Sequence, residues 1–151
     1  MRLALVTLIA AIGCFAATPD ISGNWKLNPA KSEFGQFPAP GSMTQKVTSA
    51  DGKITVDMKM AGEQGEFATN STYTTDSKES TNAGFGGGET KSTAKWDGDA
   101  LVIDTKGAFG DNAFTMKDKW TVSADGKVLT VARHFSSGMG EMDQKMVFDK
   151  Q

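Results

Sequence analysis

Ala50-Asp51-Gly52-Lys53-Ile54-Thr55-Val56-Asp57-Met58-Lys59-Met60 is the stretch on which the fold assignment rests. Ile54, Val56, Met58 and Met60 fall at every second position, with Lys53, Thr55, Asp57 and Lys59 between them. Successive side chains of a strand point to opposite faces, so this segment turns one face to a core and the other to water. The Asp-Gly pair ahead of it favours a tight hairpin, because both residues tolerate a positive φ. The same two-residue period predicts strands at 21–28, 42–50, 53–60, 66–75, 89–96, 100–106, 113–123, 127–135 and 141–149, about nine in all, while helical period is almost absent.

The connections set the topology. Asp97-Gly98 and Asp125-Gly126 repeat the hairpin signal, and 61–65, 107–112 and 136–140 are short Gly-containing loops. Links after Ser42 are too short for a crossover helix, so consecutive strands are expected to be antiparallel neighbours. A long meander with one apolar face gains by closing, since closure removes its edges. The expected fold is therefore all-β, an antiparallel up-and-down barrel of about eight to ten strands. Two segments depart from the pattern. Residues 29–41 (PAKSEFGQFPAPG) carry three prolines and two phenylalanines, with a short helical turn expected at 30–34. They would cover one barrel end, as a fixed plug or as a mobile lid. Residues 76–88 are polar and end Gly84-Phe85-Gly86-Gly87-Gly88. Phosphate loops lie between a strand and a helix; flanked by two strands, this one reads as a flexible hairpin tip.

Met1-Arg2 followed by the apolar run at 3–12 has the parts of a secretory signal peptide, expected to be cut after Ala16. An alternative is lipidation: Ile12-Gly13-Cys14 resembles the end of a bacterial lipobox, with Cys14 acylated. The protein is then exported, periplasmic or extracellular, or else anchored in the envelope through Cys14. The run is too short to span a bilayer, and no second one follows, so no transmembrane segment is expected in the mature chain. Residues 17–151 remain as one domain. The chain has a single cysteine, so the folded part has no disulfide. Arg2 leaves with the leader, reducing 16 basic residues to 15 against 18 acidic ones. That balance argues against nucleic acid as a partner.

Gly23-Asn24-Trp25, the long 29–41 connection and Arg133 in a late strand together give a likeness to a known group. The chain resembles the calycin superfamily, the lipocalin-like and fatty-acid-binding-protein-like barrels. Gly23 and Trp25 match the Gly-x-Trp signature on the first lipocalin strand, and Arg133 matches the arginine that packs over that tryptophan. The chain also resembles exported bacterial proteins beginning Ser-Gly-x-Trp-Lys-Leu-Asn. The lipocalin cysteines and the mid-chain Thr-Asp-Tyr pattern are missing. The resemblance implies a barrel holding a small hydrophobic or amphipathic ligand, with no enzyme activity and no cofactor.

Strand parity shows which polar side chains share a face with the core. Arg133 lies on the face of Leu129 and Val131, Asp118 on that of Phe114 and Trp120, Gln144 on that of Met142 and Met146, and Tyr73 on that of Phe67. A buried charge must be paired. Two readings follow: an Asp118–Arg133 ion pair with Arg133 stacked on Trp25, or Arg133, Gln144 and Tyr73 gripping the polar head of a ligand. The ligand body would then lie against Trp96, Trp120, Phe114, Met58 and Met146. His134 falls on the opposite face and reads as a surface residue. No nucleophile has a histidine base at interpretable spacing, and no metal-ligand spacing is present. The competing functions are a carrier, a ligand-free structural or interaction barrel, and a small β-barrel enzyme.

Overall fold

The computed structural model describes residues 17–63 and 65–151. Residues 1–16, the expected leader, and Cys14 among them, lie outside the described residues. Ten strands follow one another: β1 (Gly23–Leu27), β2 (Ser42–Ala50), β3 (Lys53–Gly62), β4 (Gly65–Thr74), β5 (Ser80–Ala83), β6 (Glu89–Asp97), β7 (Ala100–Phe109), β8 (Asn112–Val122), β9 (Val128–Ser137) and β10 (Gly140–Lys150). They form one antiparallel sheet in the order β4-β3-β2-β1-β10-β9-β8-β7-β6-β5. The expected meander is present, and it curls round until β1 pairs with β10, Trp25 opposite Lys150 and Leu27 opposite Phe148.

The turns obey their residues. Asp51 and Gly52 both hold positive φ, at 52° and 72°, so this hairpin takes the primed turn its dipeptide favours. At the next such turn Asp97 still pairs with Ala100, and Gly98 alone turns positive, at 62°. The barrel end carrying these turns is the lower one here; the β3–β4, β7–β8 and β9–β10 turns mark the upper one.

Residues 76–88 correct the sequence reading. They are not a simple hairpin tip, because Ser80–Ala83 forms β5 and ladders with β6, Ser80 opposite Ser92. Strand β4 has no backbone ladder to β5; side chains join them instead. Asn82 accepts from the Thr72 N–H at 2.8 Å and donates to the Thr72 carbonyl at 3.1 Å, imitating a paired residue on a neighbouring strand. Thr74 N–H donates to Ser80 Oγ at 3.4 Å. Below this seam the chain bridges to β6, Asp76 opposite Lys95. Asn82→Ala removes both Thr72 bonds at once, each worth about 1 kcal/mol net. Amide exchange at Thr72 should then accelerate by about tenfold or more, while β2 and β10 amides keep their protection. Unchanged exchange at Thr72 would show that Asn82 does not hold the seam.

The long connection after β1 is pinned rather than loose. Its helical turn is a single 3-10 turn at Pro29–Lys31, slightly earlier than predicted. Glu33 then pairs with Lys145 of β10 through two backbone bonds of 2.7 and 2.8 Å. Ser32 Oγ accepts from the Val147 N–H and donates to the Asn28 carbonyl. Phe34 packs against the core.

The core fills the lower half of the barrel. Ile21, Trp25, Val47, Ile54, Leu101, Leu129 and Phe148 are all at most 2 % exposed. Trp25 donates its Nε1 proton to the Ile21 carbonyl at 3.0 Å, fixing the segment ahead of β1 across this end. The cation over its ring is Lys150, 5.3 Å from the centroid. Arg133 does not take that place, contrary to expectation: the β1–β10 ladder sets Lys150 beside Trp25, and Arg133 is engaged elsewhere.

Candidate ligand site in the barrel

Register brings three of the predicted residues side by side. Asp118 lies directly opposite Arg133, and Arg133 directly opposite Gln144. The Arg133 fork closes on the Asp118 carboxylate, Nε to Oδ1 and Nη2 to Oδ2, both at 2.7 Å. Burial opposes the guanidinium charge, but the attraction of Asp118 and its two hydrogen bonds outweigh that, so the pKa of Arg133 is raised. The side chains of Arg133 and Asp118 keep 24% and 10% of their surface accessible, so the pair is reached from the lumen.

Tyr73 belongs to the same electrostatic group. Burial pushes its phenol pKa above the usual 10.0. A Ser71 hydrogen bond and the Arg133 charge oppose this rise, and the Asp118 charge adds to it. The phenol is therefore neutral in the folded state until well into the alkaline range. Unfolding releases that proton more readily, so stability present below pH 10 is lost as pH climbs through the raised pKa. Tyr73 is the single tyrosine of the chain, so phenolate absorbance reads it directly. Its titration midpoint should lie above 10.0 in the folded protein and fall back to the ordinary value in guanidinium. A folded midpoint at or below the unfolded one would remove Tyr73 from the interior cluster.

Gln144 turns to the connecting segment, its Nε2 donating to the Phe34 carbonyl at 3.2 Å. This ties the segment's phenylalanine to the inner wall. The predicted tryptophans part from the polar group. Trp96 precedes the lower turn and borders a shallow groove of about 380 Å³ that also touches Pro19, Asp20, Asp51 and Thr75. Trp120 lies opposite Leu101 in the same half, 6 % exposed, with its Nε1 unpartnered. His134 faces outward, bonded to Asp143 at 2.7 Å.

The upper half differs from the lower. Its inward side chains Met58, Met60, Met116, Phe135 and Met142 remain partly accessible, although parity points them into the barrel. Phe114 stacks between Phe109 and Phe135, at 4.6 and 5.6 Å between centroids. Gly107 makes room for that stack: a Cβ there would come within 2.5 Å of the Phe114 ring. The exposed large apolar side chains Phe37, Phe67, Phe109 and Met139 all belong to this end. The inner wall of this half is thus apolar and partly accessible, with Met43, Phe114 and Met146 buried in it and an ion pair beside them.

Sequence reasoning missed Gln45, Asn82 and the Ser92–Thr105 pair. Gln45 is buried with its Nε2 unpartnered, between Met43 and Val47 on one face of β2, a parity signal open to view. Ser92 and Thr105 bond each other at 2.8 Å across β6 and β7. Among the described residues, no group of three or more His, Cys, Asp or Glu is placed to hold a metal, and no helix is long and apolar enough to cross a membrane.

No protein-family model matches the chain, and no curated protein matches it. Solved structures do. A zebrafish ileal bile acid-binding protein complexed with cholic acid superposes with a TM-score of 0.63 at 14% identity, over 87% of this chain and 98% of that one. A fatty acid transporter, REP1-NXSQ, gives 0.63 at 14% identity, covering 87% and 96%. A secretory abundant heat soluble protein from Ramazzottius varieornatus gives 0.59 at 13% identity, covering 89% and 98%. At these identities the likeness is one of fold. The chain shares the antiparallel barrel fold of these structures.

Proposed function

We propose that this protein is an exported carrier that holds a hydrophobic or amphipathic molecule in the upper half of its barrel. The observation that carries the reading is the partly accessible apolar lining of that half. Inward-facing Met58, Met60, Met116 and Met142 stay partly accessible, while the lower half is filled. Ligand pockets are mostly apolar with a few convergent polar groups, and Arg133 and Asp118 supply those here, with Tyr73, opposite Ile54, close enough to feel both charges. Methionines suit such a wall, being unbranched and adaptable. Similarity to barrels named for a bile acid and a fatty acid supports the reading. Binding rather than catalysis fits a site in which Arg133 and Asp118 already satisfy each other. Export rests on the leader at 1–16, with anchoring through Cys14 as its variant.

The three tryptophans of the chain lie in the lower half, and Trp120 follows Asp118 on the inward face of β8, directly beneath the partly accessible lining. A panel of retinol, retinoate and long-chain fatty acids should quench their emission saturably. A panel without one saturable member would overturn the carrier reading. The filled lower half and the Gln144–Phe34 tie would then favour a ligand-free structural or interaction module of the envelope.

A further inference from the structure

The geometry points to a ligand whose polar head is neutral, an alcohol or an amide rather than a carboxylate; this rests on the carrier reading above. A barrel with a free inward arginine would select an anion, because the guanidinium fork matches a carboxylate bidentately. Here the fork is already occupied. Nε and Nη2 of Arg133 are both spent on Asp118 at 2.7 Å, and Asp118 lies directly across the ladder, so the pair is built into the register.

The consequences for an incoming head group follow from charge and hydrogen-bond count. Among the inward-facing residues of the upper half, Asp118 and Arg133 are the charged ones, so the site presents a dipole with no net charge. A carboxylate approaching Arg133 must also approach Asp118, and the repulsion cancels much of the attraction. Both its oxygens only accept, so it has nothing to offer the Asp118 lone pairs. A hydroxyl or primary amide accepts from Nη1, which has no acceptor among the described residues, and donates to an Asp118 oxygen. Each contact is available without breaking the ion pair.

The test compares ligands with one body and different heads, retinol against retinoate and hexadecanamide against palmitate, on the folded full-length mature protein. The wild type should bind the neutral member of each pair about tenfold or more tightly. Asp118→Asn keeps the shape and one acceptor but frees the Arg133 charge, and should reverse the order in both pairs. Circular dichroism checks that this variant folds; if it does not, the wild-type ranking decides alone. Equal or tighter binding of the carboxylates by the wild type overturns the inference and leaves the carrier reading intact. A neutral preference that Asp118→Asn does not alter also overturns it, because the preference then has another source. Failure of every ligand to bind removes the carrier reading, and the head-group inference falls with it.

Discussion

Trp25→Ala is expected to lower the unfolding free energy by about 3–5 kcal/mol, the range for deleting a large buried aromatic. Three losses coincide at this position. The indole is 1% exposed and packs with Ile21, Leu27 and Phe148 in the closed half of the barrel. Its Nε1 bond to the Ile21 carbonyl holds the segment ahead of β1. Its ring face carries the Lys150 ammonium at the point where β1 meets β10. Trp25→Phe keeps much of the buried area and loses the hydrogen bond, so it should cost markedly less. Urea titrations at pH 7 read both; a change for Trp25→Ala below about 1 kcal/mol would be inconsistent with burial of this kind.

Arg133→Met is the second large effect, a loss of about 3 kcal/mol. Removing one partner of a buried pair strands the other, and Asp118 has no second cationic partner among the described residues. The figure is set at the low end of the usual range because Arg133 is 24% accessible from the lumen, where water screens the charge. The double variant Asp118→Leu/Arg133→Met should recover most of that loss, since a well-packed apolar pair often matches an ion pair in stability. A double-mutant cycle gives the coupling directly. Recovery of stability in the double variant together with loss of ligand binding would assign the pair to recognition. A double variant as unstable as the single one would contradict this account of the pair.

The barrel and its inward faces were legible in the sequence because a two-residue period needs no knowledge of neighbours. Asp118, Arg133 and Gln144 could be set side by side from parity and short turns alone, and the ladder agrees. Strand β5 was not legible. Ser80-Thr81-Asn82-Ala83 has no apolar alternation, since one side of it is held by an amide side chain rather than by packing. The partner of Trp25 was misread for a related reason. Whether Arg133 or Lys150 covers that ring depends on the β1–β10 register, a contact between the two extremes of the meander that no local pattern encodes. The Gln144 bond to the Phe34 carbonyl joins residues 110 apart in sequence and was equally hidden. The partial accessibility of the upper inward side chains was hidden too, because parity says which way a side chain points and not what closes over it.

Strands β1 and β10 are laddered to each other, whereas β4 and β5 meet through the Asn82 amide and the Ser80 hydroxyl. The sheet therefore has its natural start at β5 and its natural finish at β4, midway along the chain. A circular permutant that joins Gln151 to Ala17 through a short linker and opens between the exposed Lys78 and Glu79 would keep every ladder between named strands. Exposed loop sites of this sort are where new termini are tolerated. In that arrangement each ladder joins sequence neighbours, and the contact that closes the ring passes from a backbone ladder to the side-chain seam. The sheet could then zip from one end to the other through local pairings, with only the seam left to close a long loop. Formation of the ladders would be expected to quicken without any change in the folded structure.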